Sequence, residues 1–172
     1  KYIKDEIQKI AEAIEAVLEI DVTIVDENLV RVAGTGIYVE KIGKKVNGYS
    51  AFKKSIIEQS NILIIDPSCN EICKECYSRS DCREFSEMCC PIVCEGKSYG
   101  VIGLIAFDSE QADRINKDHE NLINFLGKMA DLISNKLKAQ IKAYELELEK
   151  KKLETLLDSM DKAIVSIDVK GN

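Results

Sequence analysis

The sequence predicts an α+β fold, an antiparallel sheet with its N- and C-terminal helices packed on one face. Three observations carry that reading. Apolar residues recur at helical spacing near both ends, short β-branched runs separated by polar turns fill the middle, and the stretch from about Glu110 to Ser159 holds no proline and only one glycine, Gly127. In 172 residues that are 45% hydrophobic there is material for one good core and an appendage.

Residues 2–20 place Ile3, Ile7, Ile10, Ala11, Ile14, Val17 and Leu18 on one stripe, which predicts an amphipathic helix. Asp21–Val25 and Leu29–Ala33 flank the polar turn Asp26-Glu27-Asn28 and read as a hairpin. Ala51–Gln59 reads as a helix and Asn61–Ile65 as a short strand stopped by Asp66-Pro67. A loop over 66–90 follows, with a helical turn near Arg83–Met88. Pro91–Cys94 and Ser98–Phe107, joined at Glu95-Gly96-Lys97, form a second hairpin. Asp108-Ser109-Glu110-Gln111 has the pattern of a capping box and starts one helix that runs to about Ser159. Its seam of Leu122, Leu126, Met129, Ile133, Leu137, Ile141, Tyr144 and Leu148 predicts a partner helix, hence a homodimer through the terminal helices. Ala163–Asp168 alternates like a strand before the turn Val169–Asn172, so the chain reads as a fragment of a longer protein.

The net charge of −6 argues against direct nucleic-acid binding by this segment. No run approaches the roughly 20 apolar residues of a membrane helix. Residues 1–20 are charged and amphipathic rather than a signal peptide, which points to the cytoplasm.

All seven cysteines lie within 26 residues, as Cys69, Cys73, Cys76, Cys82, Cys89, Cys90 and Cys94. In a reducing compartment such a tract favours metal or redox chemistry over disulfides. Cys73 and Cys76 can bring two sulfurs to one metal from a tight turn, and Cys82 can join them. The fourth ligand is Cys69, Cys89 or Cys90. In an extended segment Cys89 and Cys90 point to opposite faces, so only one of them can reach the centre. Pro91 favours an extended Cys90. Cys94 shares the face of Cys90 and is assigned to packing. Soft thiolates select an iron–sulfur cluster, taken as the 4Fe–4S type, with zinc on Cys69, Cys73, Cys76 and Cys82 as the alternative. Metal-free thiols are the third reading, with Lys74, Arg79 and Arg83 near enough to influence them.

Other candidates are weaker. His119, the lone histidine, reads as a solvent-facing residue, and Asp66 and Asp81 as turn or cap residues. Tyr38, Tyr49, Phe52 and Tyr99 are candidates for a ligand pocket. Nothing resembles a catalytic triad, a carboxylate pair or a phosphate loop, so a non-enzymatic role is expected.

The succession of helix, strand pair and loop-rich middle, followed by "PIVCEGKSYGVIGLIAF" and a long exit helix, resembles a GAF-type sensory domain. "LLDSMDKAIVSIDVKGN" resembles the opening of a PAS domain. The resemblance implies a GAF-like domain over 1–135, a helical linker over 136–157 and the start of a PAS domain over 158–172. The combination is similar to sigma-54-dependent transcriptional activators of anaerobic bacteria, in which ATPase and DNA-binding domains follow. It implies a sensor of redox state, gas or metal status. A domain binding an amino or organic acid, or the sensor of a histidine kinase, is the alternative.

Overall fold

The computed structural model describes the backbone of residues 2–46, 50–76 and 82–170. The elements are α1 (Tyr2–Leu18), β1 (Asp21–Asp26), β2 (Arg31–Gly34), a 3-10 helix (Gly36–Lys41), α2 (Ala51–Glu58), β3 (Ile62–Ile64), α3 (Glu71–Lys74), β4 (Ser86–Cys94), β5 (Lys97–Ala106), α4 (Ser109–Lys117) and α5 (His119–Lys170). The chain contacts divide it into two units, Lys1–Asn135 and Lys136–Asn172.

The five strands form one antiparallel sheet in the order β2-β1-β5-β4-β3. Its central strands are apolar on both faces, as a strand covered from both sides must be. Cross-strand register sorts the side chains. Val22 lies opposite Leu104 and Ile24 opposite Ile102, while Met88 and Cys90 face the same two residues from β4. These six side chains share one face, beneath the helices. Ile7, Ile10, Ala11 and Ile14 of α1 are buried at helical spacing, as are Leu122, Leu126, Ala130 and Ile133 of α5. Val17 is the exception in the expected α1 stripe, 69% exposed.

On the other face Val25, Val101, Ile105, Cys89, Ile62 and Ile64 pack with Phe52 and Ala51 of α2, Tyr38 and Leu29. Phe52 lies over Gly103 so closely that a Cβ on that glycine would stand 2.7 Å from its ring carbons. Here the missing side chain is what seats α2 on the sheet.

The edges are closed by side chains. Gln8 exchanges two hydrogen bonds with the Gly34 backbone, its Nε2 donating to the carbonyl (2.9 Å) and its Oε1 accepting from the N–H (3.0 Å). An exposed strand edge is blunted in this way. Arg114 of α4 donates to the Leu18 carbonyl (3.3 Å) and to Glu19 (2.7 Å), so a cation closes the C-terminus of α1.

Several expectations need correction. The helical turn lies at Glu71–Lys74, not near Arg83–Met88, and β4 begins at Ser86 instead of Pro91. Cys89 and Cys90 are therefore inside a strand and not in the loop. The sheet claims Ser86–Cys90 because β3 and β5 supply hydrogen-bond partners on both sides. The long helix is two: Asp118 breaks it, leaving α4 and α5. Asp108 caps α4 by accepting from the Gln111 N–H (2.8 Å), but Gln111 reaches back to the Phe107 N–H (2.9 Å), one residue before the cap. The strand expected at Ala163–Asp168 is helical backbone within α5. A helix satisfies its backbone groups locally, whereas a strand needs a partner.

Gly103→Ala should destabilise the fold by about 1–3 kcal/mol through overpacking against Phe52. Urea denaturation checks this, and an unchanged midpoint would mean that α2 does not depend on the close approach.

Candidate functional site: a cysteine-walled cleft

The α2 face of the sheet does not close completely. A cleft of about 1320 Å³ opens there, with Arg31, Tyr38, Lys41, Phe52, Ile72, Cys73, Cys76, Cys82, Glu84, Glu87 and Phe107 among its lining residues. Each wall has a local cause. Asp66 accepts from the Ser68 N–H (2.8 Å) and hydroxyl (2.7 Å), forming the turn after β3. Those bonds hold the exposed Asp66 carboxyl below its ordinary value. Asn70 then caps α3, accepting from the Ile72 N–H (3.0 Å). The short helix so started packs Ile72 and Cys73 against the core cluster that contains Cys89. Cys76 follows in the turn, its N–H bonded to the Cys73 carbonyl (3.2 Å).

The seven cysteines are sorted by the pleat of β4 and by the α3 turn. Cys73, Cys76 and Cys82 line the cleft. Cys89 is buried on the same sheet face, and its thiol donates to Glu87 Oε1 (3.3 Å). Cys90 lies on the opposite face, where the Asp131 carboxylate of α5 adds to the burial that pushes its thiol up to about 11. Cys94 is buried on the same strand, one residue beyond Val93, whose carbonyl accepts from Ser134 of α5 (3.1 Å). Cys69 is exposed, with Ser68 Oγ 3.5 Å from its sulfur. Among the three candidates for a fourth ligand, Cys89 is buried on the sheet face that the cleft occupies, Cys90 faces the other way, and Cys69 is exposed beside the cleft residue Ser68.

Burial favours the protonated thiol at Cys73, Cys82 and Cys89. Burial first, then Glu87 and the neighbouring Cys82 and Cys76, push Cys73 up to about 11. Burial also raises Cys82, partly offset by a hydrogen bond from the Glu84 backbone. Cys89 rises well above the ordinary thiol value through burial and the adjacent Glu87. Among the described residues no three His, Cys, Asp or Glu side chains already converge as a metal cage. The donor set suits a soft metal in chemistry and in placement on one face, and loading would have to draw the sulfurs together and release their protons.

Two acids, the half-buried Glu84 and the buried Glu87, were not anticipated. Tyr38 donates its hydroxyl to Glu84 (3.2 Å), and Glu84 is raised chiefly by burial. Burial, and then Glu84, push Glu87 up to about 8. Correct placement of β4 would have flagged Glu87, because it is a charged residue at an inward position of a strand buried on both faces. Arg31 was also missed, one side chain at the start of a four-residue edge strand.

Of the expected pocket aromatics, Tyr38 and Phe52 line the cleft. Tyr99 sits under Lys97 Nζ, 4.7 Å from the ring centre, and does not line it. It stands near the β4–β5 turn, at the far end of the hairpin from the cleft cysteines. Tyr49, Arg79 and Asp81 lie outside the described residues. His119 is half-buried, its Nδ1 3.0 Å from the Asn116 carbonyl.

An antiparallel five-stranded sheet in this order, helices on one face and a loop-walled cleft on the other, is the GAF fold. Solved structures agree. The GAF domain of a phosphoenolpyruvate-protein phosphotransferase from Coxiella burnetii matches with a TM-score of 0.62 and 13% identity, over 84% of this chain and 86% of that one. The type II free methionine-R-sulfoxide reductase of Thermoplasma acidophilum matches at 0.59 and 15%, over 77% and 92%. No family model matches the chain. In sequence the chain is 30% identical over 168 residues to UacR of Escherichia coli strain K12, whose name proposes a uric acid sigma-54-dependent transcriptional regulator. The match takes in 96% of this chain and 28% of that protein's length. No described helix is long and apolar enough to cross a membrane.

The raised Glu87 carboxyl has a pH consequence. Because its folded value exceeds its unfolded one, the stability it contributes is complete below about pH 4.5 and is lost as pH rises through about 8. Glu87→Gln should therefore flatten the fall in urea midpoint between these limits. Parallel profiles for the two proteins would show that Glu87 is ionised in the fold at neutral pH.

Proposed function

We propose that this chain is the sensory domain of a sigma-54-dependent transcriptional regulator acting in the cytoplasm, and that its signal is read in the cysteine-walled cleft. An iron–sulfur cluster held by Cys73, Cys76, Cys82 and Cys89 is the first reading of that site. What supports it is the sorting of the thiols: three line the cleft, a fourth is buried on the same face, and Cys90 turns to the other. The match to UacR over nearly the whole chain supports the regulatory context. When bound, such a cluster supplies an electron or a site for oxygen or another diatomic gas. Zinc on Cys69, Cys73, Cys76 and Cys82 is the alternative, a set in which Cys69 and Cys82 are both exposed.

The chain's own residues offer a path for the signal. Residues 82–87 run from Cys82 through Glu84 to the start of β4, so a shift at the cleft moves Ser86. The Ser86 hydroxyl lies 2.8 Å from the Ile64 carbonyl and 3.1 Å from Asn116 Oδ1, its one proton shared between them. The Asn116 carbonyl meets His119 across the break at Asp118. The α4–α5 junction is therefore tied to the cleft by three side chains. In the second unit Ile141, Tyr144, Leu148 and Leu153 are exposed, and we assign them to a seam with a second copy of the helix. The opening of a PAS domain at 158–172 belongs to the same proposal for the longer protein.

A second reading, that the cleft binds a metabolite, is favoured by its mixture of cationic, acidic and apolar walls; the name of UacR would make uric acid the first compound to try.

Purified without oxygen, the protein should be brown, carry about four iron and four sulfide per chain, and lose both on Cys73→Ser. It should be dimeric by light scattering. A colourless protein holding zinc would exclude the cluster, a metal-free protein indifferent to Cys73→Ser would exclude any metal, and a monomer would exclude the helix seam.

A further inference from the structure

One corner of the cleft is cationic, and the thiols make no use of it. Arg31 is fixed on edge strand β2 by its backbone, its N–H donating to the Lys44 carbonyl (3.1 Å) and its own carbonyl accepting from Gly43 (2.8 Å). Its guanidinium carbon lies 5.0 Å from the centre of the Tyr38 ring, and Lys41 Nζ lies 5.2 Å from the same centre. Tyr38 is braced in turn by Phe107, ring centres 6.0 Å apart. Two cations are thus gathered on one buried aromatic ring at the cleft wall.

The Arg31 Nε is buried and meets no hydrogen-bond partner among the described residues. Glu84 and Glu87 lie near enough to act on the Arg31 charge, but neither bonds its Nε. Glu84 accepts from the Tyr38 hydroxyl and Glu87 from the Cys89 thiol. A guanidinium stays charged in a protein, and Arg31 itself lines the cleft. Its planar fork matches a carboxylate or another delocalised oxyanion. Beside it the cleft is apolar, walled by Val46, Phe52 and Ile72.

We propose that the cleft binds a small organic anion, its oxyanion on Arg31 and Lys41 and its apolar body against Val46, Phe52 and Ile72. The inference rests on the cleft being where the signal is read, and it requires no metal. An inorganic anion would gain the charge contacts without the apolar burial, so the site should prefer the organic one.

The test titrates the 172-residue chain, chelator-treated and with its thiols reduced, by calorimetry at constant ionic strength. The probes are benzoate, orotate and succinate, with inorganic phosphate as the comparison. At least one organic anion should bind one per chain, with phosphate weaker by about tenfold or more, and Arg31→Met should weaken that binding by about tenfold or more. If Arg31→Met does not fold, Arg31→Lys decides, because it keeps the charge and loses the fork; a loss of about tenfold is again expected. No binding by any of the three organic anions, equal binding of phosphate, or unchanged affinity in the folded Arg31 variant overturns the proposal. An iron-loaded protein that binds no organic anion sinks this inference alone. A protein that carries no metal when purified without oxygen, yet binds one, sinks only the cluster.

Discussion

The pairing of β4 between β3 and β5 is the constraint on which the site depends. Both neighbours hydrogen-bond to it, so its register is set from two sides, with Cys89 opposite Ile62 on one edge and Gly103 on the other. A strand alternates its side chains strictly, and a slip of one residue would exchange its two faces. That slip would carry Met88 into the cleft and Glu87 beneath the helices, where nothing described could compensate it. The pleat therefore gives consecutive cysteines different fates. Cys89 goes to the cleft side and Cys90 to the helix side, and no loop rearrangement short of breaking the sheet can reverse them.

The same strand sets the electrostatics. Glu87 is two residues from Cys89 and on the same face, so the acid and the thiol share one buried environment. Burial disfavours both charged forms; Glu87 raises Cys89 further, while the hydrogen bond from Cys89 partly offsets the rise of Glu87. Burial thus favours the protonated, less reactive state of Cys73, Cys82 and Cys89, and a thiolate there would need further stabilisation. A soft metal would supply that stabilisation, whereas an organic anion on Arg31 would leave the thiols as they are. The two readings of the cleft thus differ in what they do to sulfur, although they use neighbouring walls.

Much of the fold was legible because its signals are periodic. The stripe of Ile7, Ile10, Ala11 and Ile14, the β-branched runs of β1 and β5, and the Glu95-Gly96 turn, with both residues at positive φ, are local patterns with local causes. The site was less legible. Ser86–Cys90 was read as loop and helical turn, since two adjacent cysteines and a glutamate resemble neither a clean strand nor a clean helix. Only partner strands far away in sequence make that segment extended. Glu84, Glu87 and Arg31 escaped for the same reason, because a charged residue announces a site only once its burial is known. The break at Asp118 was hidden because no glycine or proline marks it.

The likeness to GAF domains rests on fold, at identities too low to transfer a ligand, and the relation to UacR spans little more than a quarter of that protein. The account therefore stands on the sorting of the thiols. Timed alkylation of the native protein followed by peptide mass spectrometry tests it most directly. Cys69 should react fastest, Cys73, Cys76 and Cys82 more slowly, and Cys90 and Cys94 only when the protein is unfolded. Iron reconstituted without oxygen should protect Cys73, Cys76, Cys82 and Cys89 together and leave Cys69 reactive. Joint protection of Cys90 with Cys73, or rapid native labelling of Cys90, would contradict the assignment of the β4 faces.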